Sequence, residues 1–584
     1  MWLLDIPAII PTFLSVYQRV FASHRIPDCR ALPQDTAWPN ATAFDAFNKS
    51  ISGRLIKTVP IGSPCHSPTY DAEECGYLQD HWRHPEIHLT SSSSVMNSIF
   101  LNKSCDPFTD PEEQCITGAY VQYAVNVSEP QHVVQTLEFV KKYNIRFVVK
   151  NTGHDYMGKS TGTGAISVWM HHLQNITFIE NFTSKRYSGP AFRVQAGVQG
   201  FQITHEASRK GLVVVSGSCP NVGFAGGYIQ GGGHSSLSSM YGLGADQTLS
   251  FEVITPQGKF VTASPEQHND LYWALSGGGG GTYGIVWSVT VKAHPDLPIT
   301  VALLSFSAGG TSKKNYWKAI SAFQADTPHF IAARASAFIT FSASGFNLTP
   351  LFAVNSSVEQ VKELLNPFMM TLDSLGIKSL SSIQSYPTYA EAFGSVPSFQ
   401  TENQDIANFQ LGNRLLPRYL WDNNVSLSRL MGVLNDIVDG GGTILDVMVS
   451  PTLQIAGYPN NAVLPAWRNA FHAVTAILPL YNNQSIESIA QDQQKIAYNF
   501  TEALHKITQD SGAYLNEASP IDPYFKQVFY GDNYNLLLTI KDKYDPDQVM
   551  YGSTAIGGDR WREMKDGRLC RTRTRASMKS REDL

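Results

Sequence analysis

Three glycine-rich runs adjoin apolar, strand-like segments: VVKNTGHDYMGKSTG from Val148 to Gly162, SGSCPNVGFAGGYIQGGGH from Ser216 to His234, and Gly277 to Gly281. Residues without Cβ let consecutive backbone N–H groups converge on one anion. Three such runs in one stretch suit a large diphosphate ligand. The first run also carries His154 and the second carries Cys219, a cysteine far in sequence from every other. A lone cysteine is more often an inert buried thiol than a reactive group. Its place among glycines sets a special role against that bland one.

The first run also fits two well-known motifs, and its context argues against both. Gly153-His-Asp-Tyr-Met-Gly-Lys-Ser160 satisfies G-x-x-x-x-G-K-[ST], the phosphate loop of ATP-binding proteins, which needs a strand before it and a helix after it. The strand is there, but Thr161-Gly-Thr-Gly164 and a β-alternating run follow, so no helix N-terminus faces the phosphates. Gly158-Lys-Ser-Thr-Gly162 fits G-x-S-x-G, whose serine belongs on a strand-to-helix turn and here lies between loop and strand. Gly279-x-Gly281-x-x-Gly284 mimics a dinucleotide fingerprint but precedes a strand instead of following one.

The elements that must hold these loops are legible as patterns. Ser128-Glu-Pro-Gln131 reads as a capping box, and Val133, Val134, Leu137 and Val140 recur with helical spacing behind it. Apolar runs at Ile145 to Lys150, Ile166 to Met170, Phe192 to Val198, Leu249 to Val253, Phe260 onward and Ile285 to Val291 read as strands. From about Ile299 amphipathic helices take over, for example Val358, Val361, Leu364, Leu365, Phe368 and Leu372. A denser Asn, Tyr and Gly texture returns between Asp510 and Trp561.

A chain of 584 residues with 43% apolar content is long enough for more than one core. Its net charge of -5 gives no attraction to phosphate backbones, which excludes nucleic acid as a partner. The apolar run from Ile6 to Val16 reads as a signal segment, though Asp5 stands where a positive charge belongs; Asp5, Pro7, Pro11 and Arg19 interrupt any stable membrane span. Sequons at Asn40, Asn48, Asn102, Asn126, Asn175, Asn181, Asn347, Asn355, Asn424, Asn483 and Asn499 point to the secretory route. Cys65/Cys75 and Cys105/Cys115 are spaced for short disulfide loops, and no Cys-x-x-Cys pattern predicts a metal.

Taken jointly, Gly153-His-Asp-Tyr156, Cys219-Pro-x-Val-Gly223, Tyr241-Gly-Leu-Gly-Ala-Asp246 and Tyr544-Asp-Pro546 resemble the berberine-bridge-like oxidases of the vanillyl-alcohol-oxidase type, nearest the fungal isoamyl-alcohol-oxidase-like branch. The resemblance spans about Cys29 to Trp561. It implies an α+β fold: a two-subdomain FAD-binding domain plus an α+β substrate domain with an antiparallel sheet. Residues 1–22 are then the signal segment, 23–117 a Cys-containing extension, 118–297 the FAD-binding domain, 298–505 the substrate-binding domain, 506–562 a return to the FAD domain, and 563–584 a basic, disordered tail.

The resemblance further implies that His154 bonds the flavin 8α-methyl carbon and Cys219 bonds C6, although Phe224-Ala225 makes the second loop one residue longer than the plant pattern. Asn151, Thr152, Gly153, Asp155, Gly158 and Ser160 of the first loop would hold FAD, together with Gly223, Gly226, Gly227, Gly231, Gly232, Gly233 and His234 of the second, and Asn516 beside the ring. Tyr241 and Glu517 form the expected acid/base pair, with Tyr156 lining the pocket; many relatives carry tyrosine where Glu517 stands. The implied reaction removes a hydride from an alcohol or amine C–H of a small organic substrate, with O2 accepting the electrons and giving H2O2. A flavin-dependent cyclisation or desaturation is the alternative.

Overall fold

The computed structural model describes residues 29–400 and 409–572, so the signal segment lies outside the described residues. Strands β1 (Leu55–Lys57), β2 (Tyr123–Asn126), β3 (Phe147–Lys150) and β4 (Ile166–Trp169) form a sheet in the order β1-β2-β4-β3, in which β2, β4 and β3 run parallel. The helix Pro130–Lys142 makes the crossover that a parallel pair requires. It buries Val133, Leu137 and Val140 against Phe147, Ile166 and Val168, each contributing about 1.5–3 kcal/mol. The expected capping box does not form. Pro130 opens the helix, where its missing N–H costs nothing, and the Ser128 N–H goes to His132 Nδ1 at 3.4 Å.

Strands β5 (Ile176–Thr183), β6 (Ser188–Gln195), β8 (Thr248–Ile254), β9 (Phe260–Ala263) and β10 (Ile285–Lys292) make an antiparallel sheet ordered β5-β6-β10-β8-β9, while β7 (Leu212–Val213) pairs separately with β11 (His294–Pro295). These two sheets are the two α+β subdomains, and the first two glycine runs leave β3 and β7.

A seven-stranded antiparallel sheet carries the rest: β12 (Ile299–Ser307), β13 (Ser336–Phe341), β14 (Gly345–Val354), β15 (Leu380–Tyr386), β16 (Phe409–Pro417), β17 (Thr443–Met448) and β18 (Ala470–Pro479), ordered β15-β12-β14-β13-β17-β18-β16. Helices Lys313–Ala325, Val358–Ser374, Asn424–Asp439 and Thr501–Ile507 bury their apolar stripes on one face. The other face presents Phe338, Phe352, Leu415, Val447 and Ala473 to Leu237, Leu243 and Tyr514. That face is where the two domains meet. Buried Asp246 locks the junction, its carboxylate taking both Arg468 guanidinium nitrogens at 2.8 Å and Asn461 at 2.7 Å.

The C-terminal expectation needs correction. Residues up to 572 are ordered: β19 (Trp561–Glu563) pairs with β20 (Leu569–Arg571), and Cys570 is disulfide-bonded to Cys29. The part of the basic stretch expected to be disordered that is described, up to 572, is held by this hairpin and by the bond to Cys29; residues 573–584 lie outside the described residues. Cys65–Cys75 and Cys105–Cys115 are paired as expected. Among the described residues no helix is long and apolar enough to cross a membrane, and no His/Cys/Asp/Glu group is arranged for a metal.

Candidate active site

The three glycine runs meet. The Gly279 N–H donates to the Gln230 carbonyl at 2.7 Å, and Gly280 packs on Gly227 so closely that a Cβ at Gly280 would stand 3.0 Å from the Gly227 Cα. Lys159 Nζ reaches the Gly280 carbonyl at 3.4 Å. Gly153 has φ +90° and its carbonyl accepts from Met96 N at 3.1 Å, tying the first loop to the N-terminal extension. No helix follows Ser160 before β4, which removes the ATP-loop reading.

Several residues expected to hold the ligand also shape the loops. Asp155 accepts from Met157 N at 2.9 Å and Ser160 N at 2.6 Å, stapling its own loop. A side chain at Gly223 would collide with Asn151, whose amide donates to the Ala196 carbonyl, and one at Gly231 would collide with Asn516. Asn516 Nδ2 donates to the Gly227 carbonyl at 2.8 Å and to the Tyr514 hydroxyl at 2.9 Å. These glycines therefore admit two asparagines that hold the loops. Gly232 and Gly233, at φ +116° and +78°, offer carbonyls to Ala245 and Gly244 and so fix the turn after Tyr241. Gly158 lies against Phe100, Gly226 beside Asn151, and Thr152 is buried.

His154 and Cys219 come together, with Nε2 and Sγ 3.9 Å apart. Burial pushes His154 down to about 4, only partly offset by the Asn221 side chain beside it, so the imidazole is neutral at physiological pH. Burial pushes the Cys219 thiol up to about 12. Two residues not singled out in the sequence join them. Asn221 touches both side chains, and Lys150 at the end of β3 is fully buried, donating to the Ser91 carbonyl at 2.8 Å and the His88 carbonyl at 3.3 Å. Burial draws Lys150 down to about 7. Asn221 occupies the unspecified position after Cys219-Pro220; nothing in the pattern around Lys150 marks it.

Glu517 reaches this cluster from the C-terminal return. Its charge helps to raise both the Cys219 thiol and the Tyr156 hydroxyl, after burial, the main cause in each case. Tyr156 stacks on Phe409 at 5.9 Å and stays protonated well above neutral pH. Glu517 Oε1 lies 2.9 Å from His234 Nε2. Tyr241 does not join: its ring stacks on His294 at 3.9 Å and its carbonyl accepts from Gln247. The short helix Ser238–Tyr241, ending at Gly242, aims the ring toward β11. The side-chain hydrogen bond of Glu517 goes to His234, and the ring contact of Tyr241 goes to His294.

Residues 121–264 match the FAD binding domain family, and residues 513–557 match the berberine and berberine-like family. FAD-linked oxidoreductase patO of Aspergillus clavatus is 43% identical over 549 residues, 93% of this chain and 95% of that protein. Bifunctional decalin synthase calF of Penicillium decumbens is 37% identical over 551 residues, 93% of this chain and 95% of that protein. The crystal structure of VAO-type flavoprotein MtVAO615 from Myceliophthora thermophila C1 superposes with TM-score 0.89 at 37% identity, covering 93% of this chain and all of that one. The chain belongs to the vanillyl-alcohol-oxidase and berberine-bridge-like family. It is an FAD-linked oxidoreductase.

The residues present in this oxidoreductase fit FAD. The Asn151 Oδ1 and Ser218 Oγ atoms are buried beside the loops without a partner, a state that native proteins seldom leave unsatisfied. A Cβ at Gly281, which has φ +66°, would meet only open space. Loop backbone, unpaired polar atoms and the His154/Cys219 pair together make a cradle for a flavin dinucleotide.

Proposed function

We propose that this FAD-linked oxidoreductase oxidises an alcohol or amine C–H of a small organic compound, with Glu517 taking the O–H or N–H proton and His154 and Cys219 both bonded to the flavin. Bound flavin supplies the electron sink and hands the electrons to O2, yielding H2O2. The single observation that carries this reading is the Glu517 carboxylate, near enough to Cys219 and Tyr156 for its charge to raise both groups and hydrogen-bonded to His234, while Tyr156 and Cys219 are held protonated. Tyr156 and Phe409 line the approach. Secretion is part of the proposal. Three disulfides form, and every sequon asparagine is exposed except Asn48 and Asn126, which are half-buried.

Glu517→Gln tests the base. Loss of a positioned base slows chemistry by about 10²- to 10⁴-fold, so flavin reduction by substrate slows by that order while flavin content stays normal. Reduction at nearly the wild-type rate refutes it. A second reading, hydride loss that triggers cyclisation or desaturation, draws support from the decalin synthase named among the relatives; mass spectrometry of the products separates it from simple oxidation.

A further inference from the structure

We propose that His234 positions Glu517, so that the two side chains take the substrate proton as one carboxylate–imidazole dyad. This rests on the reading of Glu517 as the base. The partners come from segments 283 residues apart, the end of the second glycine run and the C-terminal return, and among the described residues the 2.9 Å bond between them is the one hydrogen bond the carboxylate makes. Oε1 is thereby occupied and Oε2 is left free. The Glu517 side chain is 23% exposed against 9% for His234, so the carboxylate is the more open member of the pair.

The imidazole is held from all sides. Its ring lies 5.2 Å from Tyr514, 6.1 Å from Phe338 of β13 and 6.5 Å from Trp467, so the substrate-domain sheet and the C-terminal return both fix it. Its Nδ1 is buried without a partner. An ionised carboxylate oxygen only accepts, so the 2.9 Å contact requires the ring to donate an Nε2–H to Oε1. The titratable groups facing Glu517 are His234 from the glycine run, Cys219 and Tyr156 from the two loops, and Tyr514 from its own segment. Among them His234 alone forms an ion-pairing contact with Glu517 among the described residues.

The chemistry balances without another reagent. The substrate O–H or N–H bond breaks and its proton goes to Oε2; the neighbouring C–H bond breaks and its hydride goes to the flavin; a C=O or C=N bond forms. The dyad ends protonated once and the flavin reduced by two electrons. A glutamate free to rotate about three side-chain bonds would seldom present Oε2 in line, and the His234 bond removes that freedom.

The test uses holoenzymes of wild type, Glu517→Gln, His234→Leu and His234→Gln, whose amide can still donate. Flavin content is measured first. Anaerobic flavin reduction is then followed across pH with a panel of primary alcohols headed by benzyl alcohol, read with the member that reduces the wild type fastest, and the His234→Leu crystal structure is solved. The dyad predicts that His234→Leu slows reduction by about 10²-fold, the scale of a misplaced reacting group, with flavin content unchanged. It also predicts that the acid limb of its pH profile moves to higher pH, because a carboxylate that loses a donor holds its proton more tightly. His234→Gln recovers most of the rate, and the Glu517 carboxylate leaves its place in the leucine variant. Should His234→Leu not fold, His234→Asn, too short to reach, replaces it. Wild-type rate, an unmoved profile or an unmoved carboxylate in that variant overturns the dyad. If Glu517→Gln alone is slow, the dyad falls and the base stands; if Glu517→Gln is also fast, the base assignment falls with it.

Discussion

The Cys219 sulfur lies 3.9 Å from His154 Nε2 across 65 residues of sequence, because the loops that leave β3 and β7 are pressed together by Asn151 at Gly223 and Gly226. One small rigid group can therefore bond to both side chains.

The proposed double attachment has a direct consequence. Acid-precipitated holoenzyme should keep its flavin absorbance, His154→Ala and Cys219→Ala should each leave the flavin on one bond, and the double variant should give a colourless pellet. Because the thiol lies near 12, native alkylation of an unattached Cys219 would be slow, so mass mapping belongs on denatured protein. Alkylatable Cys219 there in fully loaded wild type excludes the second bond. A colourless wild-type pellet excludes both.

The Asp246–Arg468 pair is buried at the domain junction, with side chains 0% and 9% exposed. Arg468→Met leaves the Asp246 charge buried with Asn461, the Leu243 N–H and the Lys292 ammonium beside it but no bidentate partner, and removing one member of such a pair costs about 3–5 kcal/mol. The denaturant midpoint should drop accordingly. Replacing Asp246 and Arg468 together by apolar residues should cost much less than Arg468→Met. An Arg468→Met midpoint equal to wild type contradicts this.

Cys29 and Cys570 join positions 541 residues apart, and Arg30 N and Leu569 O hydrogen-bond alongside at 2.8 Å. Losing a native disulfide typically costs about 2–5 kcal/mol. Cys570→Ser should lower the unfolding midpoint and open the β19–β20 hairpin to trypsin at Arg568 and Arg571. Equal trypsin resistance in variant and wild type would show that the hairpin docks without the bond.

Stability should fall on acidification. Burial pushes His88 and His171 from the ordinary 6.5 down to about 4. Above 6.5 both forms of the chain carry these rings neutral; between 6.5 and 4 the unfolded chain binds protons that the folded chain refuses, so folding loses free energy as pH drops and the loss is complete below 4. Melting temperature should decline between about pH 7 and about pH 4, and His88→Gln with His171→Gln should flatten the decline. An equally steep decline in that double variant assigns the effect to other groups.

The family and its cofactor were legible in the chain because close backbone approach to an anion demands glycines at fixed spacing, and a helix or strand writes its period into the apolar residues. His154, Cys219, Glu517 and Tyr156 are named by the resemblance that those motifs carry, not by periodicity. What no local pattern carries is a distance between segments. That Glu517 pairs with His234 rather than Tyr241, that Cys29 reaches Cys570 through a stretch whose charge reads as solvated, and that buried Lys150 leans on the N-terminal extension are set by long-range packing of loops and sheets. Periodicity reports which face of one element is buried; only the folded chain decides which other element covers it.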